Sequence, residues 1–327
     1  MSGGPTIARL GGDQLPAELR GGVVAIGNFD GVHRGHQAVL GTARDIARAE
    51  RRPLICLTFE PHPRTVFDPA HPVPRLTPAP IRARLLGALG FDAVVEQEFD
   101  KDFAGMEPED FVRTVIVERL GAAHVVAGFD FHYGRKRGGT PQTLVSSGER
   151  SGFGVTLVPA LQDAAGETIS SSRIRALLEA GEAARAAEML GYRWTIGGQV
   201  QDGQRLGRTL GYPTANILLM PETILKFGIY AVRLRRADGT LIDGVASFGR
   251  RPTFDNGAAL FETFLFDFSG DLYGEAIVVS IFGFLRGEEK FDGAEALIAQ
   301  MDRDSENARA MLSGATSLSD LDRAIAF

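Results

Sequence analysis

Two spacings of apolar positions divide this chain. In the first half, short apolar runs alternate with segments whose apolar residues recur at helical intervals. Val23 to Ile26 reads as a strand and is followed by an amphipathic segment from Gln37 to Ala49. Pro53 precedes a second strand, Leu54 to Phe59, which ends in Glu60-Pro61-His62-Pro63. Ile81 to Leu89 has helical spacing and stops at Gly90, and Phe91 to Val95 is a short strand. Glu109 to Leu120 is a helix entered at Pro108 and ended by Gly121. His124 to Ala127 and Val155 to Val158 are further strands. This alternation predicts an α/β fold with a doubly wound parallel sheet, in which ligands bind beyond the carboxyl ends of the strands. The turn after Ile26, Pro61-His62, Asp130 and the loop before Ser170 are expected to converge there.

The second half changes character. Leu178 to Gly191 is helical and rich in Ala, Glu and Arg, but strand-like stretches dominate from Trp194 onward. Ile229 to Leu234 alternates, with Tyr230, Val232 and Leu234 on one face. Phe261 to Phe268 alternates too, and Ile277 to Leu285 is β-rich, with turns at Ala237-Asp238-Gly239 and Ser269-Gly270-Asp271. A small antiparallel β-barrel is predicted, closed by a helix over Ala294 to Leu312. The boundary falls near residue 188, giving domains 1–187 and 188–327.

Composition narrows the function classes. The chain has 327 residues, 44% hydrophobic and 23% charged, with net charge −6. No basic excess suggests nucleic acid as a bulk partner, although a local pocket could hold phosphate. The single cysteine, Cys56, cannot form an internal disulfide, which fits a reducing cytoplasm. Residues 1–10 lack the basic start and apolar core of a signal peptide, and the apolar run from Ala276 to Leu285 is too short to span a bilayer, so no membrane role is expected.

The densest chemistry lies in Gly27-Asn28-Phe29-Asp30-Gly31-Val32-His33-Arg34-Gly35-His36. A strand, a glycine-rich turn and a helix in that order can present backbone N–H groups to a phosphate, with both histidines facing one small volume. The bland alternative is a tight turn with incidental histidines. Ile169-Ser170-Ser171-Ser172-Arg173-Ile174-Arg175 precedes a helix (Ile174 to Glu179, stopped at Gly181). One serine is a natural N-cap; three hydroxyls with two guanidinium forks also make an anion site. Neither G-x-x-x-x-G-K-[S/T] nor G-x-G-x-x-G occurs, so neither a P-loop NTPase nor a dinucleotide oxidoreductase is supported.

In the second half, Gly207-Arg208-Thr209-Leu210-Gly211-Tyr212-Pro213-Thr214-Ala215-Asn216 is preceded by Gly197, Gly198 and Gly203. Thr214 and Asn216, two apart in an extended chain, can offer oxygens to Mg²⁺ and a phosphate; a Pro-Thr turn is the plain reading. Glu262 falls in an alternating strand and is expected to share a face with Phe264, Phe266 and Phe268. It is either a base held among apolar groups or a carboxylate at a solvent edge. Arg286, Glu288 and Phe291 lie in a charged loop that pattern alone does not interpret.

Gly27 to His36 resembles the HxGH signature of the nucleotidyltransferase superfamily. Together with Thr58-Phe59-x-Pro61-His62-Pro63, Gly128-Phe129-Asp130-Phe131 and Ile169 to Arg175, it is similar to the FMN adenylyltransferase module of bacterial bifunctional riboflavin kinase/FAD synthetases. Pro213-Thr214-Ala215-Asn216, Gly249-x-Arg251-Pro252-Thr253-Phe254, Phe261-Glu262-Thr263 and Asp271-Leu272-Tyr273-Gly274 resemble the riboflavin kinase module of the same family. The order of the modules is the family's, and together they cover nearly the whole chain.

The resemblance implies two ATP-dependent steps, riboflavin to FMN and FMN to FAD, with riboflavin, FMN and ATP as small-molecule partners and Mg²⁺ as cofactor. For adenylylation it implies catalytic His33 and His36. Nucleotide contacts would come from Gly27, Asn28, Phe29, Asp30, Gly31, Ser170, Ser171, Ser172 and Arg173, and flavin contacts from His62 and Asp130. For the kinase it implies Glu262 as base. Gly203, Gly207, Arg208, Gly211, Pro213, Thr214 and Asn216 would lie around ATP, with Thr214 and Asn216 on the metal and Arg286, Glu288 and Phe291 at the flavin. A monomer or weak homo-oligomer is expected. The sequence departs from the family pattern at Ser247-Phe248, Lys226-Phe227 and Gly191-Tyr192-Arg193-Trp194. A kinase with a silent first half and a non-catalytic flavin or nucleotide sensor are the rival readings.

Overall fold

The apolar runs of the first half are strands buried on both faces, which is why they read as continuous rather than alternating. A computed structural model describes residues 7–11, 15–201, 214–220, 222–250 and 259–327. The chain falls into two units, one within Pro5–Val73 and Pro78–Ser170, the other containing Pro74–Thr77 and Ser171–Phe327. In the first unit, β1 (Ala8–Gly11), β2 (Val23–Ile26), β3 (Leu54–Glu60), β4 (Ala93–Glu98), β5 (His124–Gly128) and β6 (Gly154–Val158) form one sheet. It is parallel throughout, in the order β1-β4-β3-β2-β5-β6. Val24, Ile26, Ile55, Leu57, Val125 and Ala127 pack against Phe111, Val112, Val115 and Ile116. The strand order reverses between β2 and β5, and there the carboxyl ends of neighbouring strands open a crevice.

Several element boundaries differ from the pattern. The first helix, α1, runs Arg34–Glu50, three residues earlier than expected, because His33 caps it. β4 starts at Ala93 instead of Phe91: the Phe91 N–H still closes the preceding helix onto Leu86 O, and Asp92 N bonds Leu54 O. The segment expected as one α-helix is α-helical only over Pro108–Asp110 and π-helical over Phe111–Arg119. Ser171 and Ser172 lie inside the helix Ser171–Ala180 rather than before it, so only Ser170 stands outside. The helix Pro141–Ser151, which the pattern did not suggest, starts from a capping box between Thr140 and Thr143.

In the second unit, β7 (Thr195–Gln199), β8 (Thr214–Leu218), β9 (Gly228–Arg235), β10 (Leu241–Arg250), β11 (Ala259–Leu265) and β12 (Ala276–Arg286) pair antiparallel in the order β7-β12-β9-β10-β11-β8. Gln201 N donates to Asn216 O at 2.9 Å, bridging towards the far edge so that the sheet nearly closes into a barrel. Tyr230, Val232 and Leu234 are fully buried, as their alternation predicts, alongside Phe248 and Phe261.

The alternation of 261–268 stops early. β11 ends at Leu265, Phe266 N turns to bond Asp243 O, and Asp267 adopts a φ of 55°. Of the three phenylalanines expected beside Glu262, only Phe264 therefore shares its strand face. The same face of the sheet, opposite Tyr230, Val232 and Leu234, meets the helix Ala294–Ser313, whose Ala308 and Leu312 pack with Ala231, Val245 and Phe282. A Cβ on Gly283 would collide with the Met311 sulfur, so this helix lies close over β12.

A last helix, Asp320–Ala326, anchors the unit through Asp322, which is fully buried. Its carboxylate accepts from Arg193 N at 2.8 Å and from Leu318 N at 2.9 Å, and it pairs with the Arg193 guanidinium. Arg193 also stacks over the Phe282 ring. Removing the carboxylate would strand a buried cation, so Asp322→Ala should cost about 3–5 kcal/mol, measured by urea unfolding. Asp320→Ala, at an exposed pair, should cost under about 1 kcal/mol.

Candidate active sites

The turn from Gly27 to His36 leaves β2 at the switch point. Two of its residues hold conformations that side chains disfavour, Phe29 at φ 45° and Val32 at φ 39°. Both side chains are buried, at 2% and 0% exposure, and that burial holds the loop in its strained shape. Thr58 Oγ1 donates to Asn28 O at 3.2 Å and Gly27 N to Leu57 O at 3.1 Å, tying the turn to β3. Asp30 is buried within it.

His33 is the N-cap of α1, its Nδ1 accepting from His36 N at 3.2 Å. A neutral His33 ring therefore carries its proton on Nε2. The His33 and His36 rings stack 3.6 Å apart, and Phe29 meets His36 edge-on at 5.4 Å. Burial, aided by the neighbouring His33, holds His36 well below the usual imidazole range. His36 Nδ1 is buried without a hydrogen-bond partner among the described residues.

The adjacent strand ends carry the other expected residues. His62, at the end of β3, caps the helix Pro63–Phe67 by accepting from Arg64 N at 3.2 Å. Asp130 follows β5, exposed, with its carbonyl 2.8 Å from His132 Nδ1. Ser170 is half-buried at the end of this unit; Ser171, Ser172 and Arg173 open the first helix of the other.

One feature of this unit was not anticipated. Phe67, Phe99, Phe103, Phe111, Tyr133 and Phe131 form a continuous run of rings, neighbours 5.2–6.1 Å apart. Phe99 follows β4 directly, while Phe67 and Phe131 come seven and three residues after β3 and β5, so no shared position in the sequence marks them.

In the barrel unit, register does the assembling. Asn216 of β8 lies opposite Glu262 of β11, Glu262 opposite Ser247 of β10, Ser247 opposite Ile229 of β9, and Ile229 opposite Arg286 of β12. Directly opposed residues point to one face, so five strands contribute to a single transverse row. Thr214 lies two residues along β8, its Oγ1 3.4 Å from Asn216 Oδ1. Asn216 is buried and Glu262 half-buried, with polar neighbours on both sides in place of the aromatic face expected.

Arg286, Glu288 and Phe291 gather at the other end of this row. A Cβ on Gly249 would collide with Glu288 Oε1, and the Arg286 guanidinium lies 5.7 Å from the Phe291 ring centroid. Gly203, Gly207, Arg208, Gly211 and Pro213, with the Arg251 to Phe254 motif, lie outside the described residues.

An HxGH turn at the switch point of a parallel sheet, with a glutamate set beside a Thr/Asn pair on an antiparallel barrel, defines a two-site nucleotide-dependent transferase. Residues 15–173 match the FAD synthetase family model and residues 190–312 the riboflavin kinase model. A bifunctional riboflavin kinase/FMN adenylyltransferase of Listeria monocytogenes is 40% identical over 291 residues, covering 88% of this chain and 91% of its own. The Escherichia coli K12 protein of that description is 36% identical over 296 residues, 90% and 94% of the two chains. A crystal structure described as a macrolide-efflux protein from Streptococcus pneumoniae superposes with a TM-score of 0.81 at 31% identity, over 93% of this chain and 99% of that one. The chain belongs to the bifunctional riboflavin kinase/FMN adenylyltransferase family. Among the described residues, no helix is long and apolar enough to cross a membrane.

The lowered affinity of His36 for a proton gives a signed expectation. The unfolded chain takes up the proton first, near pH 6.5, so stability held above that pH should fall as pH drops below it. His36→Asn should flatten that slope in urea unfolding at pH 7 and pH 5.5. NMR of the folded protein should show the His36 ring still neutral at pH 6.

Proposed function

We propose that the two reactions of this bifunctional enzyme run at the two sites just described, within domains spanning residues 1–187 and 188–327. The observation that carries the assignment is the pairing of Glu262 with Asn216 on one barrel face, apart from the stacked His33 and His36 at the sheet switch point.

In the barrel, Glu262 takes the proton from the riboflavin 5′-hydroxyl as that oxygen attacks the γ-phosphorus of ATP, the bond to the bridging oxygen breaks and ADP leaves. Phosphoryl transfer depends on positioning and charge stabilisation more than on covalent chemistry, so a glycine-rich segment can replace a P-loop. Thr214 Oγ1 and Asn216 Oδ1 would hold Mg²⁺. They are neutral hard oxygens, 3.4 Å apart, which fits an ion whose other ligands are water and phosphate. When bound, the ion neutralises charge on the phosphates. Gly203, Gly207, Arg208, Gly211 and Pro213 would surround the nucleotide, and Arg286, Glu288 and Phe291 the flavin end.

In the α/β unit, an FMN phosphate oxygen attacks the α-phosphorus of a second ATP and pyrophosphate leaves. The nucleophile is already ionised at neutral pH, so no general base is needed. His33 and His36 meet the charge that develops on the α-phosphate, and an arriving phosphate favours the protonated form of His36. Ser170, Ser171, Ser172 and Arg173 would receive the β- and γ-phosphates. The crevice residues His62 and Asp130, with the aromatic run from Phe67 to Phe131, suit a planar isoalloxazine. The protein acts as a cytoplasmic monomer or weak homo-oligomer in this reading.

Chromatography of riboflavin, FMN and FAD after incubation with ATP and Mg²⁺ tests the division. His36→Ala should abolish FAD formation and leave FMN formation intact. Glu262→Ala should lower FMN formation about 10²–10⁴-fold and leave adenylylation of supplied FMN unchanged. Loss of both activities from either folded variant would overturn the two-site assignment.

A further inference from the structure

Arg286 ends β12 at the edge of the Glu262 row, yet most of its hydrogen-bonding capacity is turned away from that row. Its Nε and Nη2 fork onto the Asp304 carboxylate at 2.9 and 2.7 Å, and its Nη1 donates to Gly287 O at 2.9 Å. Asp304 comes from the helix Ala294–Ser313 and is 4% exposed. Its Oδ1 also accepts from Gln300 Nε2 at 2.9 Å, and the Gln300 amide is oriented in turn by Arg303 Nε at 3.1 Å. A carboxylate is rarely buried in a helix unless it is paired, and here one guanidinium is its charged partner.

That guanidinium controls the loop that follows. It holds the Gly287 carbonyl, where the chain leaves the sheet, and its Cζ lies 5.7 Å from the Phe291 ring centroid. Between those two points, Glu288 reaches back against the α-carbon of Gly249, the residue two beyond Ser247 on β10. The loop is thus pinned at both ends by one side chain, which is itself locked by a carboxylate from a different element. Bidentate carboxylate contact fixes a guanidinium plane as well as its charge.

We propose that Asp304 is a positioning residue for riboflavin: by locking Arg286 it holds the Gly287–Phe291 loop, with Glu288, across the flavin end of the kinase site. Asp304 touches neither substrate nor the reacting atoms. It acts by removing conformations that the loop would otherwise have to give up when the flavin binds. The proposal rests on the reading of Arg286, Glu288 and Phe291 as the flavin end.

The test is steady-state kinase kinetics on the full chain, with FMN adenylylation and the urea midpoint as controls for folding. Asp304→Asn should raise the KM for riboflavin about tenfold or more, leave the KM for ATP unchanged and move kcat little. Arg286→Lys keeps the cation but cannot fork, and should give the same split if Asp304→Asn folds poorly. An unchanged riboflavin KM in both variants would overturn the proposal. So would equal rises in both KM values with a falling kcat, the mark of general loosening. Glu288→Gln and Arg286→Ala separate the two layers. If these also leave the riboflavin KM unchanged, the flavin-end reading fails and the proposal with it. If they raise it while Asp304→Asn does not, the reading stands and the lock is wrong.

Discussion

Strand register is the constraint on which the barrel site depends. Side chains on a strand alternate with a period of two, so which residues meet on a face is decided by pairing before any side-chain contact forms. A slip of one residue in β11 would turn Glu262 into the barrel interior and bring Phe261 out beside Asn216. The buried cost of that exchange is large, because Phe261 and Phe248 are fully enclosed. Hydrophobic burial on the inner face therefore secures the polar row on the outer one. The helix Ala294–Ser313 adds a second restraint by packing over the middle of that face and leaving its end to the row.

The α/β site relies on a different device. Its histidines are set by a loop that two buried side chains force into left-handed backbone, at Phe29 and Val32. Such conformations persist only where the surroundings over-determine them, and here β3, the capping bond from His36 N and the burial of both side chains do so. Groups that must meet a developing charge are most effective when already in place, and a strained, packed loop cannot reorganise cheaply.

Much of this was legible in the chain. The strands of the parallel sheet announce themselves as apolar runs, and glycines and prolines mark where most helices end. Other features depend on contacts between distant segments. The early start of α1 comes from a His33 side-chain bond that spacing does not reveal. The halt of β11 at Leu265 comes from the bond of Phe266 N to a strand more than twenty residues away in sequence. Phe266 and Phe268, expected beside Glu262, fall beyond the strand for that reason. The true neighbours, Asn216 and Ser247, could be found only from strand order. The aromatic run was similarly hidden, because its members follow several separate strands.

The row in the barrel also bears on how such a protein can change. Asn216, Glu262, Ser247, Ile229 and Arg286 are scattered over 216–286, and each belongs to a separate strand. A genetic crossover at any turn between β8 and β12 would inherit part of the row from one parent and part from another. Exchanges that keep the whole barrel together preserve it. Its unit of inheritance is the sheet, even though each fragment of it reads as an independent motif.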